Sequence, residues 1–124
     1  MSGAGKVVLI VEDNEMNMEL LGDVLEMAGY EIIRATEPIT AIKMAVDELP
    51  DVILMDVQLP GIDGLEATRR LKANPGTEKI PVVAVTSHAM KGEREKAVEA
   101  GCIGYFSKPI DVSNFAADLK KLLG

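Results

Sequence analysis

Residues 51–64 read DVILMDVQLPGIDG, an apolar run that stops on a carboxylate and runs into a Pro-Gly pair. Val52, Ile53, Leu54 and Met55 are continuous, β-branched-rich and bounded by turn signals, the pattern of a strand buried on both faces. Pro60-Gly61 marks a loop. Asp56 is therefore expected at or just past the C-terminal end of a buried strand, facing a loop. In open α/β sheets that edge is where ligands bind and chemistry occurs. A carboxylate placed there has a stronger claim to function than one on a helix face.

A second apolar run, VVLIV at Val7–Val11, also ends in carboxylates, Glu12 and Asp13. After it, Leu20, Leu21, Val24, Leu25 and Ala28 recur at helical spacing, with acidic residues between them. Asp13 or Asn14 can cap that helix and Gly29 ends it. Residues 30–34, YEIIR, form a short, more polar strand suited to a sheet edge. Thr36 and Pro38 open the next helix, with Ala41, Ile42, Ala45, Val46 and Leu49 as its apolar stripe and Pro50 as its stop. Residues 65–73 are helical and end before Asn74-Pro75-Gly76. Residues 80–85, IPVVAV, form a fourth strand, with Thr86 just past it. The run 93–100 is a helix closed by Gly101, and 103–107, IGYFS, is a fifth strand leading into Lys108 and Pro109. Asp111 or Ser113 caps a last helix bearing Phe115, Ala116, Leu119, Leu122 and Leu123.

Five strands alternating with five helices give a doubly wound α/β fold, a parallel sheet covered by helices on both faces. The 124 residues fit one domain, taken as 1–124, with no output domain after the last helix. Aromatic residues are only 3%, so the core is aliphatic. A net charge of −7 argues against a nucleic-acid surface, which needs basic patches. No apolar stretch reaches the ~18 residues of a membrane span, and the start lacks a signal peptide's apolar region. The single Cys102 makes no intrachain disulfide, which suits a cytoplasmic setting. Gly3-Ala4-Gly5-Lys6 precedes a strand instead of following one and is not a phosphate loop.

The chemistry-bearing residues fall just after strands: Glu12 and Asp13, then Asp56, Thr86 and Lys108. Strand ends on one side of a parallel sheet converge. Three clustered carboxylates repel unless a cation sits among them. Oxygen ligands with room for water suit Mg²⁺, with Mn²⁺ as a substitute. A lysine and a threonine hydroxyl beside such a metal make a phosphoryl site with a carboxylate nucleophile. Asp56, single and central, is the expected nucleophile; the Glu12-Asp13 pair is better placed to hold metal.

The segments VLIVEDNEMNMELL, ILMDVQLPGIDGLEATRRLK, VVAVTSHAMKGE and GYFSKPI resemble the receiver domain of two-component response regulators over essentially the whole chain. The opening Asp-Asn-Glu and the Ala-Met-Lys-Gly stretch are similar to those of DivK-like single-domain regulators and hybrid-kinase receivers. The resemblance implies a flavodoxin-like, CheY-like sheet of order 2-1-3-4-5. It implies that Asp56 accepts a phosphoryl group from a sensor histidine kinase or histidine phosphotransfer protein. It further implies Mg²⁺ on Glu12, Asp13, Asp56 and the backbone carbonyl of Gln58, and phosphoryl oxygens on Thr86 and Lys108. Tyr105 takes the aromatic switch position. Gln58 and His88 are expected to tune hydrolysis. A downstream protein would dock on the face of the helix from Glu93, the fifth strand and the last helix, or on the first helix. No nucleic acid or membrane is expected, and a monomer is.

Each residue also has an ordinary reading. Glu12 and Asp13 can serve as helix caps, Thr86 as an N-cap, Lys108 as a surface lysine, Tyr105 and Cys102 as core. His88, the sole histidine, reads on its own as a surface or internally satisfied side chain. Met16, Met18 and Met90 can fill core gaps, while Met16 and Met90 also fall at the family's contact surfaces. Arg69-Arg70 reads as a solvated helix face. The leading function is a stand-alone switch, not an enzyme beyond its own phosphorylation and hydrolysis. The alternatives are a phosphorelay intermediate or a receiver excised from a hybrid kinase. A phosphatase with an Asp nucleophile needs a second Asp two residues on, where this chain has Gln58.

Overall fold

The computed structural model describes residues 5–59, 61–87 and 92–124. Pro60, His88 and Met90 lie outside the described residues. Elements alternate as β1 (Val7–Val11), α1 (Glu15–Met27), β2 (Glu31–Ala35), α2 (Pro38–Glu48), β3 (Val52–Asp56), α3 (Gly64–Ala73), β4 (Val82–Thr86), α4 (Glu93–Ala100), β5 (Gly104–Ser107) and α5 (Phe115–Leu123). The strands form one sheet of order β2-β1-β3-β4-β5, with each neighbouring pair parallel. The doubly wound α/β expectation and its strand order both hold.

Strand periodicity of two divides the core into two layers. Leu9, Val11, Ile53, Met55, Val82 and Ala84 face α2, α3 and α4, where they meet Ala41, Ala45, Ala67, Leu71, Ala97 and Ala100. Val8, Ile10, Val52, Leu54, Val83 and Val85 face α1 and α5, packing on Leu21, Leu25, Phe115 and Leu119. Every residue of β3 and β4 is buried, which explains their unbroken apolar runs. The edge strand β2 carries exposed Glu31 and Arg34.

Local chemistry corrects several boundaries. β2 begins one residue late because the Tyr30 N–H still bonds back to Leu25 of α1. β4 starts at Val82, not Ile80. The Ile80 N–H closes a turn onto Thr77, and its carbonyl accepts from Lys72 Nζ at 2.6 Å. Thr86 is the last strand residue instead of the one after it, paired with Ser107 and with its carbonyl accepting the Lys108 N–H at 2.8 Å. β5 starts at Gly104, not Ile103. α3 begins at Gly64, capped by Asp63, whose Oδ1 accepts the Glu66 N–H at 2.8 Å. The N-cap of α5 is Asn114, not Asp111 or Ser113. Asp111 instead holds the preceding turn, accepting from the Ser113 N–H and from Asn114 Nδ2. The N-cap of α4 is Gly92, not Thr86.

Four expected stripe residues face solvent: Leu20, Val46, Leu49 and Leu122 are exposed, as is Met16, whereas Met18 is core. Leu49 is the left-handed C-cap of α2, with φ 48°. Cys102 is a buried thiol, pushed up in pKa by burial. Arg69 and Arg70 both pair with Glu66 on an exposed helix face.

Candidate functional site

The strand order reverses between β1 and β3, which places their C-terminal ends beside an open crevice. Asp56 ends β3 there, buried, with Glu12 one residue beyond β1, buried, and Asp13 exposed at the rim. One carboxylate oxygen from each of the three lies within 4.8 Å of the others. Asn14 caps α1 by accepting the Asn17 N–H, so capping is not the task of Glu12 or Asp13. Glu12 does take the Asn14 N–H on Oε2 at 3.0 Å.

Lys108 enters from the loop after β5 and joins two of the acids. Its Nζ lies 2.8 Å from Glu12 Oε1 and donates to Asp56 Oδ2 at 3.1 Å. The peptide bond from Lys108 to Pro109 is cis. Glu12 Oε1 is buried, and the Lys108 ammonium is its polar partner among the described residues. Burial raises the Glu12 carboxyl, partly countered by Lys108. Burial alone would lower Lys108, but the carboxylates of Glu12 and Asp56 outweigh it and hold the ammonium charged. Three carboxylates therefore face one ammonium, and a buried acceptor oxygen points into the cluster. That donor set, three hard-oxygen carboxylates against a single ammonium, fits a small divalent cation.

The opposite wall is built on Gln58. Its backbone N–H donates to Asp56 Oδ1 at 3.0 Å. Its side-chain Nε2 donates to Thr86 Oγ1 at 2.6 Å, and its Oε1 accepts the Ser87 N–H at 3.1 Å. Gly64 has no room for a side chain, since a Cβ there would strike the backbone oxygen of Asp56. That close approach lets α3 start directly beneath the peptide of Asp56. Sequence reasoning missed Gly64, Ser87 and the side-chain bonds of Gln58 to Thr86 and Ser87; the Asp63-Gly64 pair was the available signal for the first.

Tyr105 lies on β5, half-buried against the core layer under α4, with the Arg94 guanidinium 5.7 Å from its ring centre. It is part of the wall of a cleft of about 470 Å³ between α4, β5 and α5, together with Val98, Phe106, Lys121 and Leu122. The structure thus brings Glu12, Asp13, Asp56, Lys108, Gln58 and Thr86 to one crevice. Tyr105 stands on the strand beside Thr86 and outside that crevice. His88 falls outside the described residues.

Comparison with known proteins gives the same picture. The response regulator receiver domain model matches residues 8–120. The polar-differentiation response regulator DivK of Brucella anthropi is 49% identical over 119 residues, covering 96% of this chain and 97% of that protein. The receiver domain of a sensor histidine kinase from Pseudomonas aeruginosa, solved with a magnesium ion in its active-site cleft, superposes with TM-score 0.88. It is 34% identical over 98% of this chain and 99% of that one. The chemotaxis response regulator CheY4 of Vibrio cholerae shares the fold at TM-score 0.88 and 23% identity, over 94% of this chain and 98% of that one. No helix among the described residues is long and apolar enough to cross a membrane.

Proposed function

Because the chain belongs to the response regulator receiver domain family of two-component signalling, we propose that Asp56 is its phosphoacceptor and that the protein works as a cytoplasmic, single-domain switch. The observation that carries this is the placement of Asp56. It is a buried carboxylate held at both oxygens, by Lys108 Nζ and by the Gln58 N–H, within reach of two further acids. An Asp56 oxygen attacks the phosphorus of a phosphohistidine on a sensor kinase or phosphotransfer protein. A P–O bond forms, the P–N bond breaks, and the electron pair leaves on the imidazole nitrogen. Lys108 stands ready to neutralise the incoming oxygens, and the Thr86 hydroxyl to donate to one of them.

Glu12, Asp13, Asp56 and the backbone carbonyl of Gln58 would hold Mg²⁺, or Mn²⁺ in its place; the bound ion supplies charge neutralisation for the transferring group. Gln58 stands in the wall of the site and tunes water attack on the acyl phosphate; His88 is assigned the same role from its place in the sequence alone. Output passes to a protein that docks on the cleft between α4, β5 and α5 or on α1, where Met16 is 80% exposed. Catalysis is limited to the protein's own phosphorylation and dephosphorylation.

Acetyl phosphate with Mg²⁺ should label the wild-type protein, and Asp56→Asn, which keeps the shape and loses the anionic nucleophile, should abolish the label. Wild-type levels of phosphate on the Asp56→Asn chain in mass spectrometry would remove Asp56 from this role.

A further inference from the structure

Gln58 is the one described side chain seen to bond both Thr86 and the residue after it. The orientation of its amide is not ambiguous. Oε1 accepts the Ser87 backbone N–H at 3.1 Å, and a backbone N–H can only donate; Nε2 therefore faces Thr86 Oγ1, at 2.6 Å. Ser87 Oγ adds a further contact to Oε1 at 3.3 Å. The same residue's backbone N–H reads Asp56 Oδ1 at 3.0 Å. The Val57 N–H bonds to the Val85 carbonyl at 2.9 Å, so the β3–β4 ladder runs right up to Gln58. One residue thus grips the nucleophile through its backbone and the end of β4 through its side chain.

We infer that Gln58 is a latch, a positioning residue that holds Thr86 and the end of β4 in the unphosphorylated arrangement. The inference rests on the reading of Asp56 as phosphoacceptor. Turning an Asp56 carboxylate into an acyl phosphate removes charge from the carboxyl group that the Gln58 N–H contacts and weakens that bond. The same event offers Thr86 a new charged acceptor. Thr86 accepts from the amide and keeps its hydroxyl proton to donate, so moving towards the new acceptor stretches its bond to an amide anchored at the other end on the Ser87 backbone. Phosphorylation thus loosens the latch and pulls against it in one step, while the latch sets how far the equilibrium leans to the resting side before any phosphoryl group arrives.

The test uses the whole chain with Mg²⁺ and beryllofluoride, which mimics the phosphoryl group on Asp56. Gln58→Met keeps the length of the side chain and the backbone N–H on Asp56, and loses the side-chain bonds to Thr86 and Ser87. It should bind beryllofluoride about 3–10-fold more tightly than wild type, the equilibrium equivalent of one ordinary net hydrogen bond. The Ser87 amide resonance should move, before any beryllofluoride is added, towards its position in the saturated wild-type protein. In a Thr86→Ala background the same Gln58→Met change should lose most of its effect, because the latch then has less to hold. Equal or weaker binding by Gln58→Met, a Ser87 resonance that stays put, or full additivity with Thr86→Ala overturns the latch. If the wild-type protein itself fails to bind beryllofluoride, the phosphoacceptor reading fails first and takes the latch with it, a result recognisable without any variant.

Discussion

At the scale of single residues, Glu12 shows how burial and charge set a site's chemistry. Its carboxyl is raised by desolvation, with Lys108 pulling the other way and Asp56 adding to the rise. A raised acid binds its proton more tightly in the folded chain than in the unfolded one. Its ionised form therefore costs stability once pH climbs through the raised value, above the ordinary 4.5. A divalent ion competes with that proton. Mg²⁺ affinity should rise with pH across the same window, since each ion bound near the raised value must displace a proton. Glu12→Gln should bind Mg²⁺ more weakly at neutral pH and lose the part of the pH dependence that lies above 4.5. Titration calorimetry in buffers of different ionisation heat measures the proton release directly. Equal proton release in wild type and Glu12→Gln would show that Glu12 is not the competing group.

At the scale of elements, the helices and strands were legible wherever one strong local signal acted, and blurred where two competed. Gly101 closes α4 where expected, whereas the C-cap of α1 is Ala28, with Gly29, at φ 97°, one residue beyond it. β4 was read two residues early because Ile80 and Pro81 are apolar and strand-like, while the Thr77 turn and the Lys72 ammonium claim the Ile80 backbone. The cap of α5 falls on Asn114 and not on Asp111, because the Asp111 carboxylate is engaged in a turn ahead of the helix. α2 breaks the usual rule openly: a leucine, 59% exposed, sits in the left-handed C-cap. That conformation costs a β-carbon-bearing residue roughly 1–2 kcal/mol, and the exposed side chain recovers little of it. Leu49→Gly should therefore stabilise the fold by about 0.5–1 kcal/mol after the extra unfolded-state entropy of glycine is subtracted. Urea unfolding checks it; a lower midpoint at unchanged slope would mean that Leu49 packs usefully despite its exposure.

At the scale of the whole molecule, the crevice was legible because parallel topology gathers strand ends, so Glu12, Asp13, Asp56, Thr86 and Lys108 could be placed together from order alone. The side-chain wiring was not. The Gln58–Thr86 bond joins residues 28 apart in sequence and depends on a rotamer that no spacing encodes. The β4–β5 register sets Ala84 opposite Tyr105 and Thr86 opposite Ser107. Thr86 shares its strand face with Ala84, so Tyr105 is its diagonal neighbour on that face. A movement of Thr86 towards a phosphoryl group on Asp56 therefore changes the packing offered to Tyr105, and with it the cleft between α4, β5 and α5. The chain has two tyrosines and no tryptophan. Tyr30 is buried ahead of β2, at the sheet end opposite the crevice. Tyr30→Phe thus leaves Tyr105 as the sole tyrosine reporter. In that background, Mg²⁺ and beryllofluoride should change the Tyr105 fluorescence saturably. Adding Thr86→Ala should abolish that change and weaken beryllofluoride binding by about 5–150-fold, the range of a typical coupling free energy of ~1–3 kcal/mol. A Tyr105 response that survives Thr86→Ala at full amplitude would show that the signal reaches the cleft by another route.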